Sequence, residues 1–401
     1  MKSNIVDRNL ATEGAKRIDW ARANMPIVAS LADEFRAKRP FANLRIGICL
    51  HVEAKTGVWI EALTAGGAEI FITGSPGSTQ DDTAAALNML ENVHVFARSD
   101  ESFDDHLTHC GYVLQSKPDL IADNGADLHH LIYSRDEFRS LHETLIGATE
   151  ETTTGTTRLR ESIKCFDFPT LSINDTLTKR IVENRFGVGS SVVDGLMRAT
   201  NVMLHGKSVV VIGYGYCGAG VAQRLRGMGA HVTVVERDPL AQLEAHLEGF
   251  RTSALEECVD TADIVITVTG YDNILRREHF EAMRSGTIIA NAGHFASEID
   301  VPALEGLSES KREITEDITE YALADNRKLF LVSRGNLVNL AAGDGNPIEI
   351  MDLGLALQSL SLQFLTDDDK SLKNGVQPVP REVERIVAQR AVEHWIARSP
   401  V

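Results

Sequence analysis

A glycine-rich loop offers the clearest chemistry in the sequence. Gly213, Gly215 and Gly218 are spaced as GxGxxG, directly after the apolar run SVVVI and before a helix-like stretch. This spacing lets a backbone turn tightly, approach a pyrophosphate and pack a helix against a strand. Glu236 closes the next apolar run, 21 positions after Gly215 (236 − 215), where a carboxylate binds the ribose of NAD. The pattern predicts an NAD site, although a turn without a ligand is the alternative and Arg237 could hold the extra phosphate of NADP.

The elements that position this loop alternate along most of the chain. Short apolar runs that alternate with helix-like stretches are typical of parallel sheets with helical crossovers, so the predicted fold class is α/β. We predict two doubly wound, Rossmann-like parallel-sheet domains joined by a hinge, plus a short C-terminal helical segment. The predicted strands are Leu44–Leu50, Glu69–Thr73, Val93–Ala97 and Leu120–Ala122, then Ser208–Ile212, Val232–Val235, Ile264–Val268, Thr287–Ala290 and Leu329–Val332. The polar stretch Ser172–Ser191 is the candidate hinge between the two domains. We expect the chain to cross between them a second time near Ala341–Pro347.

Composition and residue spacing argue against several classes of partner. The chain has 40 Lys and Arg against 57 Asp and Glu, a net charge of −17, which argues against a nucleic-acid partner. No apolar run reaches the roughly 18 residues of a membrane helix, and the N-terminus is polar, so we expect a cytoplasmic protein without a membrane partner. The five cysteines are far apart and form no CxxC pair, and the histidines show no ligand spacing, so no metal site is predicted.

Five further stretches carry a resemblance to a known family. They are Glu150–Gly155 (EETTTG), Ile173–Lys179 (INDTLTK), Arg198–Lys207 (RATNVMLHGK), Asn291–Asp300 (NAGHFASEID) and Leu337–Pro347 (LVNLAAGDGNP). Together they resemble the S-adenosylhomocysteine hydrolases over nearly the whole chain. The segment His51–Thr56 (HVEAKT) resembles the branch found in thermophilic bacteria and archaea.

The resemblance implies a domain plan and an activity. A substrate-binding domain would comprise residues 1–178, completed by 341–366, an NAD-binding Rossmann domain residues 179–340, and a C-terminal helical segment residues 367–401. NAD would oxidise the 3′-hydroxyl of an adenosine-type nucleoside transiently, which acidifies the 4′-hydrogen and allows a group on C5′ to be eliminated. The partner would be a small-molecule nucleoside, and we expect a homo-oligomer, a dimer or a tetramer.

The resemblance also implies site residues. Lys179 would act at the 3′-hydroxyl, Glu151 at the ribose hydroxyls, and His51 and His294 in proton transfer at C5′. Besides the glycines and Glu236, the implied cofactor-binding residues are Thr152, Thr153, Thr154, Asn184, Thr269, Gly293 and Asn339. The implied substrate-facing residues are Glu53, Lys55, Gln80 and Asn346.

Three implied positions depart from the family pattern. Asn124 replaces a carboxylate near C4′ and C5′, Glu183 replaces an aspartate after the lysine, and Asn346 replaces the histidine of GHP. Because the NAD motifs are intact, we predict a paralogue with an altered substrate and a hydrolase or dehydratase outcome. The alternatives are a true adenosylhomocysteinase that splits S-adenosylhomocysteine, a non-catalytic NAD-binding regulator, and a dehydrogenase that releases NADH.

Overall fold

A computed structural model describes residues 3–75, 77–367 and 372–396. The first elements are α1 (Ala11–Ala23), α2 (Pro26–Lys38), β1 (Arg45–Cys49), α3 (Ala54–Ala65), β2 (Glu69–Thr73), α4 (Asp81–Leu87), β3 (Val93–Phe96), α5 (Phe103–Gln115), β4 (Leu120–Asp123), α6 (Asp127–Ser134), α7 (Leu141–Thr144), β5 (Gly147–Glu150), α8 (Thr153–Ser162) and β6 (Pro169–Ser172). These elements alternate as the pattern of apolar runs predicted.

The middle of the chain begins with a π-helical segment, Thr178–Gly187. It continues with α9 (Val188–Thr200), β7 (Ser208–Ile212), α10 (Tyr216–Gly227), β8 (His231–Val235), α11 (Pro239–Leu247), β9 (Arg251–Thr252), β10 (Ile264–Thr267), α12 (Arg277–Ala282), β11 (Ile288–Asn291), α13 (Val301–Leu307), β12 (Ser308–Thr315), β13 (Ile318–Leu323), β14 (Lys328–Val332) and α14 (Val338–Ala341). The last elements are α15 (Ile348–Leu365), β15 (Gly375–Pro378), α16 (Arg381–Ala391) and a second π-helical segment, Val392–Ile396.

The chain folds into two compact units. Unit 1 comprises the described residues up to Lys179 and from Ile348 onward, and unit 2 comprises Arg180–Pro347. The predicted domain borders were 178/179 and 340/341, and the units divide after Lys179 and after Pro347. The described residues beyond 367, predicted as a separate segment, group with unit 1.

Unit 1 is built on a seven-stranded sheet in the order β15-β6-β5-β4-β1-β2-β3. All its strand pairs are parallel, and the central strands β1, β4 and β5 are buried, except for the first residue of β1, Arg45. Burial on both faces explains why these strands read as continuous apolar runs. The carboxyl ends of β1, β4 and β5 therefore lie side by side at one edge of the sheet.

Helix α15 is the described helix that is long and apolar enough, by length and composition alone, to cross a membrane. It has 18 residues and a mean hydropathy of 1.2, and 67% of it is buried. It packs against α2, α3, α16 and β5, all in unit 1. Its apolar composition is thus that of a core helix.

Unit 2 contains an eight-stranded sheet in the order β12-β13-β14-β11-β10-β7-β8-β9. The strands from β14 to β9 are parallel, as predicted, whereas β12 and β13 form an antiparallel hairpin and β13 pairs antiparallel with β14. The sequence reading missed β12 because SESKREIT is charged and almost wholly exposed. Its charges suit an edge strand, since they oppose pairing with another sheet.

The candidate hinge, Ser172–Ser191, is largely helical, and its role as a hinge stays a prediction. The π-helical segment fills half of it, and α9 begins at Val188. A Cβ on Gly189 would lie 2.6 Å from the backbone of Gly220. Gly189 therefore permits close packing of α9 against α10.

Candidate active site

The predicted site residues divide between the two units. Unit 1 contains His51, Glu53, Lys55, Gln80, Asn124, Glu151, Thr152, Thr153, Thr154 and Lys179. Unit 2 contains Glu183, Asn184, Gly213, Gly215, Gly218, Glu236, Thr269, Gly293, His294, Asn339 and Asn346. Each unit is described on its own below.

Three predicted residues of unit 1 follow neighbouring strands. His51 lies just beyond β1, Asn124 follows β4, and Glu151 follows β5. Because β5, β4 and β1 are adjacent and parallel, these residues share one edge of the sheet. The carboxyl edge of a parallel sheet is where ligands bind in open α/β folds.

A buried ion pair is the centre of this edge. Lys179 Nζ lies 3.1 Å from Glu151 Oε1, and the two residues are 5% and 2% exposed. Burial raises the pKa of the Glu151 carboxyl, but the Lys179 ammonium more than offsets this effect, so the pKa is lowered overall. Glu151 is therefore ionised near neutral pH, and it holds the ammonium at a fixed position.

Asn124 lies beside this pair and is 4% exposed. Its side-chain amide also favours the ionised form of Glu151. Its Oδ1 atom is buried without a hydrogen-bond partner among the described residues. A buried acceptor without a partner is costly, which is expected of a group that meets a ligand.

His51 is oriented by a serine. Its Nδ1 lies 2.8 Å from Ser78 Oγ, and that hydroxyl donates to the carbonyl of Ser75 at 2.7 Å. Because the single hydroxyl proton of Ser78 is used in this hydrogen bond, Ser78 Oγ can only accept from the histidine. The neutral imidazole therefore donates from Nδ1 to Ser78. This arrangement selects the tautomer whose Nε2 can accept a proton.

The sequence reading missed Glu150, which is fully buried and organises two loops. Its carboxylate accepts hydrogen bonds from the amides of Gly125, Ala126 and Thr152, at 2.9 to 3.0 Å. Burial and the neighbouring Asp123 raise the pKa of Glu150 well above its usual value. The two consecutive glutamates in the sequence could have indicated Glu150, but only Glu151 was predicted as a site residue.

The three threonines of EETTTG have different surroundings. Thr152 caps α8, since its Oγ1 accepts from Gly155 N at 2.8 Å and donates to Glu150 Oε1 at 2.8 Å. Thr153 Oγ1 donates to Asn174 Oδ1 at 2.8 Å, and Thr154 is half-buried in the first turn of α8. A helix cap therefore explains Thr152, and its role in binding NAD stays a prediction.

The predicted base-facing residues surround the start of α3. Glu53 is the N-cap of α3 and accepts from Lys55 N at 3.1 Å. Lys55 Nζ also lies 3.0 Å from Glu53 Oε2, and both side chains are buried. Gln80 precedes α4, and its backbone N–H donates to the carbonyl of Val52 at 2.8 Å. This hydrogen bond brings the start of α4, with Gln80, next to the start of α3, with Glu53 and Lys55.

The glycine loop of unit 2 has the geometry that the motif predicts. Gly213 has φ +105°, and a Cβ on Gly218 would lie 2.0 Å from Gly213 O. A Cβ on Gly215 would meet no described atom within 4 Å, at the N-cap of α10. Open space above an amide-rich helix start fits a dinucleotide pyrophosphate.

Glu236 lies where the motif places the ribose-binding carboxylate. It follows β8, and its Oε2 accepts from Tyr214 N in the glycine loop at 2.6 Å. Its Oε1 accepts from Arg237 N and Asp238 N at 2.7 and 2.8 Å. The Arg237 guanidinium stacks 4.3 Å from the ring centroid of Tyr271.

A second buried glutamate that the sequence reading missed supports the other loop that was predicted to bind NAD. Glu298 accepts from Thr269 N, Thr269 Oγ1 and Gly270 N, and burial raises its pKa. Any Cβ on Gly293 would overlap its carboxylate, at 1.5 Å from Oε1. The predicted residues Thr269 and Gly293 thus meet at Glu298. His294 follows and lies edge-on to Phe295, with 4.7 Å between the ring centroids.

Three predicted residues of unit 2 form a hydrogen-bonded chain. Asn346 Nδ2 donates to Glu183 Oε1 at 3.4 Å, and Ser191 Oγ donates to Asn346 Oδ1 at 2.9 Å. Asn339 Nδ2 completes the chain by donating to Ser191 Oγ at 3.2 Å. Two of the three departures from the family pattern are therefore in direct contact. Asn184 is buried in the same π-helical segment as Glu183.

Comparison with known proteins agrees with this geometry. The profile of the S-adenosyl-L-homocysteine hydrolase NAD-binding domain matches residues 184–345, and the S-adenosyl-L-homocysteine hydrolase profile matches residues 2–140. The S-inosyl-L-homocysteine hydrolase of Methanopyrus kandleri is 46% identical over 97% of this chain and 92% of its own. The adenosylhomocysteinase of Aquifex aeolicus is 44% identical over 97% and 93%, and that of Archaeoglobus fulgidus is 43% identical over 95% and 94%.

These matches confirm the predicted family, its archaeal and thermophilic branch, and the NAD cofactor. They span both units, and the NAD-binding profile lies within unit 2. The chain therefore belongs to the S-adenosyl-L-homocysteine hydrolase family, as an NAD-dependent enzyme of the hydrolase type.

Proposed function

We propose that the protein acts on an adenosine-type nucleoside by transient oxidation at C3′, deprotonation at C4′ and elimination at C5′. The observation that carries this proposal is the buried Lys179–Glu151 pair, 3.1 Å apart, beside Asn124. When bound, NAD supplies a hydride acceptor for C3′ and returns the hydride at the end of the cycle. The chain's own residues orient the sugar and move its protons.

Lys179 and Glu151 suit the oxidation step. The ammonium stabilises the 3′-oxygen as its proton leaves, and the ionised carboxylate accepts a hydrogen bond from a ribose hydroxyl. Both groups are buried, so water does not weaken these interactions. A buried, paired lysine and glutamate are otherwise poor stabilisers of a fold, which favours a catalytic role for the pair.

Asn124 suits a changed reaction at C4′ or C5′. The family pattern has a carboxylate at this position, which can accept a proton, whereas an amide cannot titrate near neutral pH. The Asn124 side chain can still donate and accept hydrogen bonds. We therefore propose that it binds a substituent on the sugar, and that His51 carries the proton transfer.

The contact between Glu183 and Asn346 argues against random decay of the site. The family pattern has aspartate and histidine at these positions, and here Glu183 Oε1 accepts a hydrogen bond from Asn346 Nδ2 at 3.4 Å. Two changed residues that contact each other are those of a retuned site. We propose that the C5′ substituent differs from homocysteine, with a hydrolase or dehydratase outcome.

A second candidate function is the hydrolysis of S-adenosyl- or S-inosyl-L-homocysteine. The identity of 43 to 46% with adenosylhomocysteinases and an S-inosyl-L-homocysteine hydrolase favours it. Neither candidate function determines which purine base the substrate carries. Lys55 donates hydrogen bonds and would suit a 6-oxo purine, whereas Glu53 accepts them and would suit the amino group of adenine.

A two-signal assay separates the candidates. The NAD-loaded protein is mixed with S-adenosylhomocysteine, S-inosylhomocysteine or adenosine, and free thiol and reduced-nicotinamide absorbance are recorded together. With the two homocysteine substrates, reduced nicotinamide without thiol supports the changed C5′ chemistry, whereas thiol release with transient reduction establishes homocysteine hydrolysis. Adenosine, which carries no sulfur, tests the oxidation step alone. No reduction with any nucleoside contradicts both candidates and supports a regulator. Steady accumulation of NADH indicates a dehydrogenase.

Variants sharpen the assay. Asn124→Asp, and the pair Glu183→Asp with Asn346→His, restore the family pattern. If these positions set the C5′ chemistry, the restored variants gain thiol release by roughly 100-fold, the contribution of one general base. Unchanged thiol release in all of them would contradict the proposal. The predicted cytoplasmic location and homo-oligomeric state, a dimer or a tetramer, stay predictions, and light scattering on the purified protein tests the latter.

A further inference from the structure

A cluster of metal-ligating side chains lies beneath the carboxyl edge of unit 1. Cys49 ends β1, whereas His106 and Cys110 lie one turn apart on α5, which packs on β1. One ligand atom of each residue lies within 4.8 Å of the others, and all three residues are fully buried. No CxxC pair marks these ligands along the chain, because they are brought together only by the packing of α5.

The distances match a tetrahedral site. Cys110 Sγ lies 3.5 Å from His106 Nε2. With metal–sulfur and metal–nitrogen bonds of about 2.3 and 2.0 Å, the edge between two tetrahedral ligands is about 3.6 Å. Asp127 Oδ2 lies 3.1 Å from the same Nε2, close to the nitrogen–oxygen edge of about 3.4 Å. Asp127 therefore lies against the histidine, just outside the three ligand atoms that lie within 4.8 Å of one another.

The surroundings provide the supporting contacts that metal sites need. Glu101 Oε1 is buried without a hydrogen-bond partner among the described residues, and it lies 3.9 Å from His106 Nδ1. A carboxylate behind a ligating histidine fixes the ring and raises its basicity. Arg158 Nη1 lies 2.7 Å from Asp127 Oδ1, so the charge of the guanidinium balances that of the Asp127 carboxylate.

A cavity of about 100 Å³ lies close to the cluster. It is lined by Glu101 and His109, together with Arg98 and Asp105. Glu101 therefore borders this cavity and also lies 3.9 Å from His106. The ligand identity, the spacing and the supporting carboxylate are checkable features of a metal site.

We propose that Cys49, His106 and Cys110 are three ligands of a tetrahedral site for a divalent transition-metal ion with the ligand preference of zinc, and that Asp127 moves to complete it as the fourth. Binding would release the protons of the two thiols, and the ion would tie β1 to α5 and α6. The site stabilises unit 1 and takes no part in the sugar chemistry. This inference is independent of the proposed function.

The test measures metal in the full-length protein, purified without chelators or metal-affinity columns. Metal analysis should find about one zinc ion per chain, or the metal-free protein should bind one Zn²⁺. Replacement with Co²⁺ should produce the intense thiolate-to-cobalt absorption and the visible bands of a tetrahedral site. These measurements use the unmodified chain, so they do not depend on the folding of a variant.

Variants identify the ligands. Cys49→Ser and Cys110→Ser should each weaken the thiolate-to-cobalt band and lower affinity for Zn²⁺ by at least 10-fold, and Glu101→Gln should lower it by roughly 10- to 100-fold. Cys258→Ser, at a buried thiol of unit 2, should keep full binding. The proposal is overturned if the metal-free protein binds neither ion, if binding survives both cysteine changes, or if Cys49 and Cys110 are joined by a disulfide.

Discussion

The Lys179–Glu151 pair shows how single residues carry function at a cost to the fold. Burying two charges costs several kcal/mol each, and their attraction offsets this only in good geometry. The pair keeps Glu151 ionised although it is 2% exposed. Removing one partner leaves a buried charge without compensation, so the consequences of a substitution are large and specific.

We predict that Lys179→Met abolishes oxidation of the sugar. The ammonium that stabilises the 3′-oxygen is lost, so reduction of bound NAD by adenosine should slow by about 100-fold or more. Single-turnover absorbance measures the rate, and NAD content after denaturation should be unchanged. Lys164→Met is the matched control, because Lys164 is exposed. Equal loss in both variants would show a general effect rather than a role at the site.

At the scale of elements, one buried aspartate joins two helices. Asp352 on α15 accepts hydrogen bonds from Ile27 N and Val28 N in the first turn of α2, at 2.9 and 2.8 Å. Burial raises its pKa from 3.8 to about 7 in spite of these hydrogen bonds. The folded protein therefore binds a proton that the unfolded chain has lost between about pH 4 and pH 7.

This shift predicts a pH dependence of stability. Because the folded pKa is raised, the contribution of Asp352 is fully present below pH 4 and decreases as the pH rises to 7, by at most about 4 kcal/mol. The melting temperature of the native chain should exceed that of Asp352→Asn by a larger margin at pH 5 than at pH 8. Thermal unfolding at both pH values measures this, with exposed Asp136→Asn as the control. An equal margin at both values would contradict the assignment.

The glycine loop gives a second prediction for the elements. In Gly218→Ala the new Cβ would meet Gly213 O at 2.0 Å, so the loop must move and unit 2 should lose roughly 2 kcal/mol or more. NAD content after purification should fall by at least about 10-fold. Gly227→Ala in the same helix is the control, since its Cβ would meet no described atom within 4 Å and alanine favours helix. Normal NAD content in Gly218→Ala would show that the loop does not bind the pyrophosphate.

The secondary-structure elements also show which parts of the fold can be predicted from the sequence. The strands with continuous apolar runs, such as β1 and β7, were predicted because burial on both faces leaves a clear signal. The charged strand β12 was missed because pairing with its neighbour β13, rather than local sequence, determines its structure. Glu150 and Glu298 were missed for a related reason. Their partners are backbone amides of loops that no residue pattern reveals.

At the scale of the whole molecule, unit 2 is one continuous segment inserted into unit 1. It has two apolar clusters of its own, one on each face of its sheet, and its borders are single crossings after Lys179 and Pro347. Unit 1, in contrast, needs chain from both sides of the insertion. This arrangement makes the two units unequal in their ability to fold alone.

We predict that the segment Arg180–Pro347, expressed alone, folds and binds NAD. Its glycine loop, Glu236 and the Glu298-supported loop all lie within it. Calorimetry should show binding of about one NAD per chain, and the same segment with Gly218→Ala should bind at least about 10-fold more weakly. A segment that is unfolded by circular dichroism would show that unit 2 depends on unit 1.

The pairing of β15 with β6 has a consequence for biosynthesis. The register joins Gly375 to Pro169, so β6 leaves the ribosome about 200 residues before its partner strand (375 − 169 = 206). At roughly 5 to 20 residues per second, the edge of β6 waits for about 10 to 40 s, during which it could pair with another nascent chain. Chains truncated after residue 350 and released from the ribosome should therefore be protease-resistant in unit 2 and sensitive in unit 1. A chaperone would be needed to protect unit 1 in such chains. If both units resisted the protease, no chaperone would be needed at this stage.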